Sequence, residues 1–130
     1  MKPTLLLTTL NALEPRWLDQ LDRRNTAKPW TAKFHKATAA AAAIEDKASQ
    51  LAFGDTDHTL LQSIRKAKLL DAAERLLATG GTQDCIAFLN AEEAFEWDVN
   101  ETDVNETGYA DTIPTERAEA YLTNFRNLAK

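Results

Sequence analysis

A seven-residue repeat of apolar side chains constrains the fold of this chain more than any other feature of its sequence. Between positions 30 and 51, apolar residues follow one another at alternating spacings of four and three residues. This spacing places them along one stripe of an α-helix, which we expect to extend from Pro29 to Phe53 over about 35 Å. The stripe consists of Trp30, Phe34, Ala37, Ala41, Ile44, Ala48 and Leu51. We expect it to pack in the core of a helical bundle.

The residues before this helix predict a second one that begins at Pro15. Proline suits the first position of a helix, where its missing N–H is not needed for hydrogen bonding. Three leucines at helical spacing precede Pro15, but the threonines of the same stretch also suit a strand. The choice between helix and strand for residues 4–13 therefore stays open.

The rest of the chain predicts further helices. One extends from about His58 to Thr79, with candidate N-caps at 55–57 and a stop at Gly80-Gly81. Its apolar face changes midway, which favours a central place in a bundle.

Another helix begins at Thr82 with a predicted break near Asn90, and the last begins at Pro114. Between them we expect a long acidic loop at 98–113. The pattern as a whole predicts an all-α fold, in which residues 1–130 form one domain, a compact bundle of five or six helices.

Charge is unevenly distributed, although the formal net charge is only −5. Residues 1–47 contain eight basic and five acidic residues, whereas residues 81–130 contain three basic and eleven acidic residues. No Lys or Arg lies between Arg75 and Arg117, an interval that holds ten carboxylates. Carboxylates without counter-charges repel one another, so such a stretch must be solvated, bound to cations or matched by cations of a partner.

We therefore expect a small non-enzymatic adaptor, regulator or inhibitor that binds a protein with a basic surface. Two aromatic residues of the acidic half would serve as anchors. The expected partner-binding residues are Glu92, Glu93, Glu96, Trp97, Asp98, Glu101, Asp103, Glu106, Tyr109 and Asp111. One alternative is an inhibitor of phage or mobile-element origin that imitates the charge of DNA and blocks a nucleic-acid-binding protein. A homo-oligomer, formed between the basic end of one chain and the acidic end of another, is also open.

The acidic region contains a duplicated pentapeptide, Asp-Val-Asn-Glu-Thr, at 98–102 and again at 103–107. Whether the duplication is functional or a tolerated insertion in an exposed loop stays open. From position 103 onward the sequence resembles the first nine positions of an EF-hand calcium loop, but Pro114 replaces its bidentate Glu. The resemblance implies at most weak calcium binding. Its oxygen ligands would be Asp103, Asn105, Thr107 and Asp111.

No motif in the sequence is typical of catalysis, and we expect neither enzymatic activity nor a cofactor. The two histidines, His35 and His58, form no local motif with Cys85 or with a serine. Asp-x-Asp-His at 55–58 could hold a divalent metal, but helix capping explains the same residues. Cys85 has apolar neighbours in the sequence, so we expect it in the core.

Six basic residues between Arg16 and Lys36 are interleaved with aromatic residues, a combination that can hold phosphates and stack on bases. Two observations argue against direct nucleic-acid binding. Trp30 and Phe34 belong to the apolar stripe, and the sequence pI is about 5.0.

We expect a cytoplasmic protein without a membrane segment. No apolar run approaches the ~20 residues of a membrane span, and the N-terminal apolar stretch is interrupted by threonines. The single cysteine excludes an internal disulfide and is consistent with a reducing compartment.

Overall fold

The computed structural model describes residues 1–96 and 114–128, with side chains up to position 124. These ranges contain five helices and no strand, which confirms the predicted all-α fold and shows that residues 4–13 are helical. The helices are α1 (Pro3–Thr26), α2 (Ala32–Phe53), α3 (Leu60–Thr79), α4 (Thr82–Glu96) and α5 (Thr115–Leu128). The acidic loop predicted at 98–113 lies outside the described residues.

Helix α1 is continuous, so the predicted helix start at Pro15 was wrong. Pro15 lies inside the helix, where a missing N–H and a steric clash cost roughly 3 kcal/mol. Three buried leucines before Pro15 and Trp17 after it contribute to the same core cluster. Each fully buried leucine contributes about 1.5–3 kcal/mol, and this shared burial offsets the cost of the proline.

Helix α2 begins three residues later than predicted, because Thr31 is its N-cap. The Thr31 hydroxyl accepts a hydrogen bond from the backbone N–H of Phe34 at 3.4 Å. Gly54 ends the helix as expected, with a positive φ of 78° and its N–H donating to the Gln50 carbonyl at 3.0 Å. The middle of the apolar stripe is buried, but Trp30 and Leu51 at its two ends are exposed. Fewer residues of the stripe are therefore buried in the core than the repeat predicted.

The N-terminus of α3 is closed by a reciprocal pair of hydrogen bonds. Gln62 Oε1 accepts from the Thr59 N–H at 2.8 Å, and Thr59 Oγ1 accepts from the Gln62 N–H at 3.1 Å. This capping box replaces the N-cap predicted at 55–57, which was wrong. Glu45 of α2 also accepts from the Leu60 N–H at 3.0 Å. The predicted stop is confirmed, because Gly80 adopts a φ of 62° and donates its N–H to the Leu76 carbonyl.

Helix α4 continues through Asn90, where a break was predicted, and that prediction was wrong. The residues around Asn90 match a capping box, but they also have adequate helix propensity. In the continuous helix, Glu93 is placed so that its carboxylate contacts α5. Helix α5 begins directly after Pro114, as predicted.

The chain divides into two compact units, Met1–Ala67 and Lys68–Lys130. Helix α3 contributes to the core of the first unit with its N-terminal half and to the core of the second with Leu76. This division explains why its apolar face changes midway. The first core consists of Leu6, Leu10, Leu13, Ala48, Ala52, Leu60, Ile64 and Ala67. The second consists of Leu76, Cys85, Leu89, Ala118 and Leu122.

The expectation of one domain over residues 1–130 stays a prediction. Among the helices described, none combines the length and apolar character needed to cross a bilayer.

Candidate functional site

Three of the ten predicted partner-binding residues lie in the described part of the chain, all on α4. Glu96 is exposed, whereas Glu92 and Glu93 are half-buried. The other seven lie outside the described residues: Trp97, Asp98, Glu101, Asp103, Glu106, Tyr109 and Asp111. The same holds for the four oxygen ligands of the EF-hand resemblance: Asp103, Asn105, Thr107 and Asp111.

Glu93 joins α4 to α5. Its Oε1 accepts a hydrogen bond from Arg117 Nη1 at 2.6 Å, and the side chain of Glu93 is 18% exposed. Arg117 is the first basic residue after the long acidic interval, but 24 positions separate it from Glu93. No local pattern in the sequence indicates this pair. Its geometry gives Glu93 a structural role within the second unit.

Glu92 interacts electrostatically with Tyr121 on α5. Burial, and then the negative charge of Glu92, raise the pKa of the Tyr121 hydroxyl. Two further carboxylates on α5, Glu116 and Glu119, are exposed. Within the described ranges, none of Glu92, Glu96, Glu116 and Glu119 forms an ion pair. The second unit therefore presents carboxylates on both α4 and α5 that no described cation neutralises.

A cluster of polar residues stabilises the connection between α2 and α3. Asp55 Oδ1 accepts from Ser49 Oγ at 2.7 Å, from His58 Nδ1 at 2.8 Å and from the Asp57 N–H at 3.1 Å. The hydrogen bond from Ser49, followed by the others, lowers the pKa of the Asp55 carboxyl from 3.8 to about 2. The His58 ring stacks on Phe53, and Lys66 Nζ lies 4.3 Å from the centre of the Phe53 ring.

The same cluster contains Ser, His and Asp, but it lacks the connections of a catalytic triad. In a triad the serine hydroxyl is hydrogen-bonded to the imidazole. Here the Ser49 hydroxyl donates to Asp55 and accepts from the His58 backbone N–H at 3.2 Å, and Ser49 is fully buried. Among the described residues, no group of three or more His, Cys, Asp and Glu side chains is arranged to hold a metal ion. The role of the cluster is structural: its hydrogen bonds stabilise the conformation of the connection between α2 and α3.

Cys85 lies in the core of the second unit, which confirms the predicted core position. Its thiol donates to the Ala118 carbonyl at 3.5 Å, and burial raises the pKa of the thiol. A buried thiol with a raised pKa is a poor nucleophile.

A groove in the first unit lies between α1 and α2. It consists of two depressions of about 420 and 460 Å³, which share Gln20 and Ala40 and so form one trough. The helices are antiparallel, because the C-terminal end of α1 lines the trough together with the N-terminal end of α2. Its charged lining residues are Arg16, Asp19, Arg23, Lys33, Lys36 and Lys47.

Trp30 lies in the connection between α1 and α2, three residues from Ala27 and Lys33 of the groove lining. The side chain is 79% exposed, and its backbone φ is 65°, a left-handed value that is rare for a bulky residue. The ring lies 5.8 Å from that of Phe34 and 6.0 Å from that of His35. The expectation that Trp30 belongs to the buried stripe was wrong. Thr31 directly after Pro29-Trp30 is the N-cap signal that could have placed Trp30 outside the helix.

Comparison of the chain with known proteins finds no matching family model, no matching curated protein and no matching solved structure.

Proposed function

We propose that the chain is a cytoplasmic, non-enzymatic protein that acts by binding a protein with a basic surface. The contact is made by its second unit, which contains thirteen acidic and five basic residues. One observation supports this most directly: exposed carboxylates on α4 and α5 have no ion-pair partner in the described ranges, and Arg117 is already engaged by Glu93.

Electrostatic complementarity would bring the two proteins together. Clustered carboxylates create a negative potential that accelerates encounter with a basic surface and disfavours acidic partners. The interaction would weaken as salt is added, because exposed charges are screened over about 8 Å at physiological ionic strength. Trp97 and Tyr109 are the proposed aromatic anchors.

Charge reversal on the exposed acidic residues tests this proposal. Glu93 is left unchanged, since its replacement would break the contact with Arg117. The test variant is therefore Glu96→Lys combined with Glu116→Lys. Its matched control is Asp22→Lys combined with Asp46→Lys, two exposed carboxylates of the first unit. Immobilised protein is exposed to lysate of the source cell, and proteins eluted by a salt gradient are identified by mass spectrometry.

The test variant should lose the proteins that elute with salt, while the control variant retains them and both keep their melting temperature. Capture of the same proteins by the Glu96→Lys/Glu116→Lys variant would refute the proposal. Elution by duplex DNA at equal salt would favour the narrower alternative, an inhibitor that imitates the charge of DNA.

A further inference from the structure

The groove between α1 and α2 combines an apolar floor with a basic rim. Ala37, Ala40, Ala43 and Ile44 of α2 supply much of the floor, and Leu13 of α1 adds to it. Alanine side chains are short, so a third element can approach the two helices closely.

The rim of the groove is strongly biased towards positive charge. Five of its charged residues are basic and one, Asp19, is acidic. Asp19 is paired with Arg23, whose Nε lies 3.0 Å from Asp19 Oδ2. The other four basic residues of the rim form no ion pair with any residue that the structure describes. They are Arg16, Lys33, Lys36 and Lys47. The groove therefore has an uncompensated positive potential along both of its edges.

From these observations we propose that the groove binds an amphipathic, acidic α-helix of a partner protein. The apolar face of that helix would lie on the alanine floor, and its carboxylates would contact the basic rim. The distance along α2 from Lys33 to Lys47 corresponds to about 21 Å, which matches roughly four turns of a bound helix. A helix laid in an apolar groove is a common mode of peptide recognition.

The lining of the groove favours a peptide over a single-stranded nucleic acid. Proteins that bind single strands combine basic residues with aromatic rings on which successive bases stack. The described lining residues of the two depressions include no aromatic side chain. An aliphatic floor can bury leucine or valine side chains, but it provides no stacking platform.

Trp30 supplies an anchor at one end of this groove. It lies three residues after Ala27 and three before Lys33, both of which line the second depression, and its indole is exposed rather than packed in the core. A left-handed backbone at a non-glycine residue costs about 1–3 kcal/mol, and an exposed indole does not offset that cost by burial. Tryptophan and arginine are the residue types that most often dominate binding energy at protein interfaces. Burial of Trp30 by a bound helix would complete the site.

Binding of model peptides to the full chain tests the proposal. The probe is a fluorescent 18-residue peptide with Leu at helical spacing and Glu elsewhere, and its control carries Lys in place of Glu. We expect the acidic peptide to bind in a salt-sensitive manner that the groove variants weaken. Binding of the basic peptide to the acidic second unit should be unchanged by the groove variants. The affinity should fall at least about tenfold in Lys36→Glu/Lys47→Glu and change less than about twofold in Lys2→Glu/Lys28→Glu. The latter pair is exposed in the same unit but does not line the groove.

A second pair of variants tests the floor without altering charge. Ala40 lines both depressions, whereas its neighbour Ala39 is exposed and lines neither. Ala40→Phe should fill the groove and weaken peptide binding at least about tenfold, while Ala39→Phe should leave binding unchanged. Circular dichroism verifies that each variant is folded, and the charge variants remain informative if Ala40→Phe is not.

Three results would overturn the proposal. The first is no binding of the acidic peptide, or binding that none of the groove variants alters. The second is tighter, variant-sensitive binding of a single-stranded oligothymidylate, which would assign the groove to nucleic acid. The third is a dimer in sedimentation equilibrium that Lys36→Glu/Lys47→Glu dissociates, which would assign the groove to a second copy of this chain. The first two outcomes involve only the groove, and Glu96→Lys/Glu116→Lys shows whether a dimer also uses the acidic surface of the second unit. This inference and the proposed function can therefore fail separately.

Discussion

The imidazole of His58 stacks face to face on the ring of Phe53, with centroids 3.6 Å apart and ring planes inclined by 9°. The same imidazole places Nδ1 2.8 Å from Asp55 Oδ1. Stacking and hydrogen bonding together hold the connection between α2 and α3 in one conformation. The hydrogen bonds of the cluster join residues at most nine positions apart, so they are local in the sequence.

The low pKa of Asp55 predicts a defined dependence of stability on pH. A carboxyl whose pKa falls from 3.8 to about 2 on folding stabilises the protein above about pH 4, and that contribution is lost as pH falls towards 2. Asp55→Asn should therefore be less stable than the unmodified protein at pH 5, with a difference that shrinks between pH 4 and pH 2. Urea unfolding at a series of pH values measures this. Asp57→Asn is the control, and a constant difference across the range would contradict the assignment.

The capping box at the start of α3 predicts that Thr59→Ala lowers the free energy of unfolding by about 1 kcal/mol. The loss arises because the Gln62 N–H then has no side-chain acceptor at the helix terminus. Thr56→Ala, three residues earlier and outside the helix, should change stability by less than about 0.5 kcal/mol. Thermal or urea unfolding separates the two variants, and equal effects would show that Thr59 is not the functional cap.

The core of the first unit predicts a large cost for Leu10→Ala. Leu10 is fully buried, and removal of its side chain leaves a cavity that costs about 2–5 kcal/mol. Leu18 on the same helix is 50% exposed, so Leu18→Ala should cost less than about 0.5 kcal/mol. Urea unfolding followed by circular dichroism provides both values. Similar losses in the two variants would contradict the burial of Leu10.

The contact between Glu93 and Arg117 predicts a small but measurable coupling. A double-mutant cycle with Glu93→Gln and Arg117→Gln should give about 0.3–1 kcal/mol, because Arg117 is half exposed and solvent screens the pair. The cycle of Glu96→Gln with Arg117→Gln is the control and should give a coupling near zero. If the two cycles agree, Glu93 has no special relation to α5.

Burial of Cys85 predicts a thiol that reacts slowly in the folded protein. With Ellman's reagent at pH 8, the rate should be at least ~100-fold lower than in urea, since modification requires the core to open. Leu122→Ala, which loosens the same core, should increase the rate in the folded protein. Rapid labelling of the unmodified protein without denaturant would contradict the burial.

The helices themselves could be predicted from the sequence, because their determinants are local. Apolar spacing predicted helix along α2, and glycines predicted the ends of α2 and α3. The exact caps could not be predicted in the same way. Several residues near each helix end can serve as a cap. Packing against the rest of the chain determines where each helix begins, and therefore that Thr31 and Thr59 are the caps.

The composition of the candidate sites was harder to predict than the helices, because it depends on packing between residues that are distant in the chain. The sequence indicated the acidic half and the basic stretch, but it did not indicate that Glu93 is engaged by Arg117 or that basic residues of α1 and α2 meet along one groove. Contacts between residues so far apart in the chain produce no repeating pattern in the sequence, so the sequence alone does not indicate them.

By itself, the sequence determined the helical class, because the hydrogen bonds of a helix join residues four positions apart. It also determined the separation of charge, because formal charge follows directly from the residue at each position. Only the tertiary structure decided that Pro15 lies within a continuous α1 and that Trp30 faces solvent. In both cases a local preference competes with burial of apolar surface, and the outcome depends on which distant side chains complete the core.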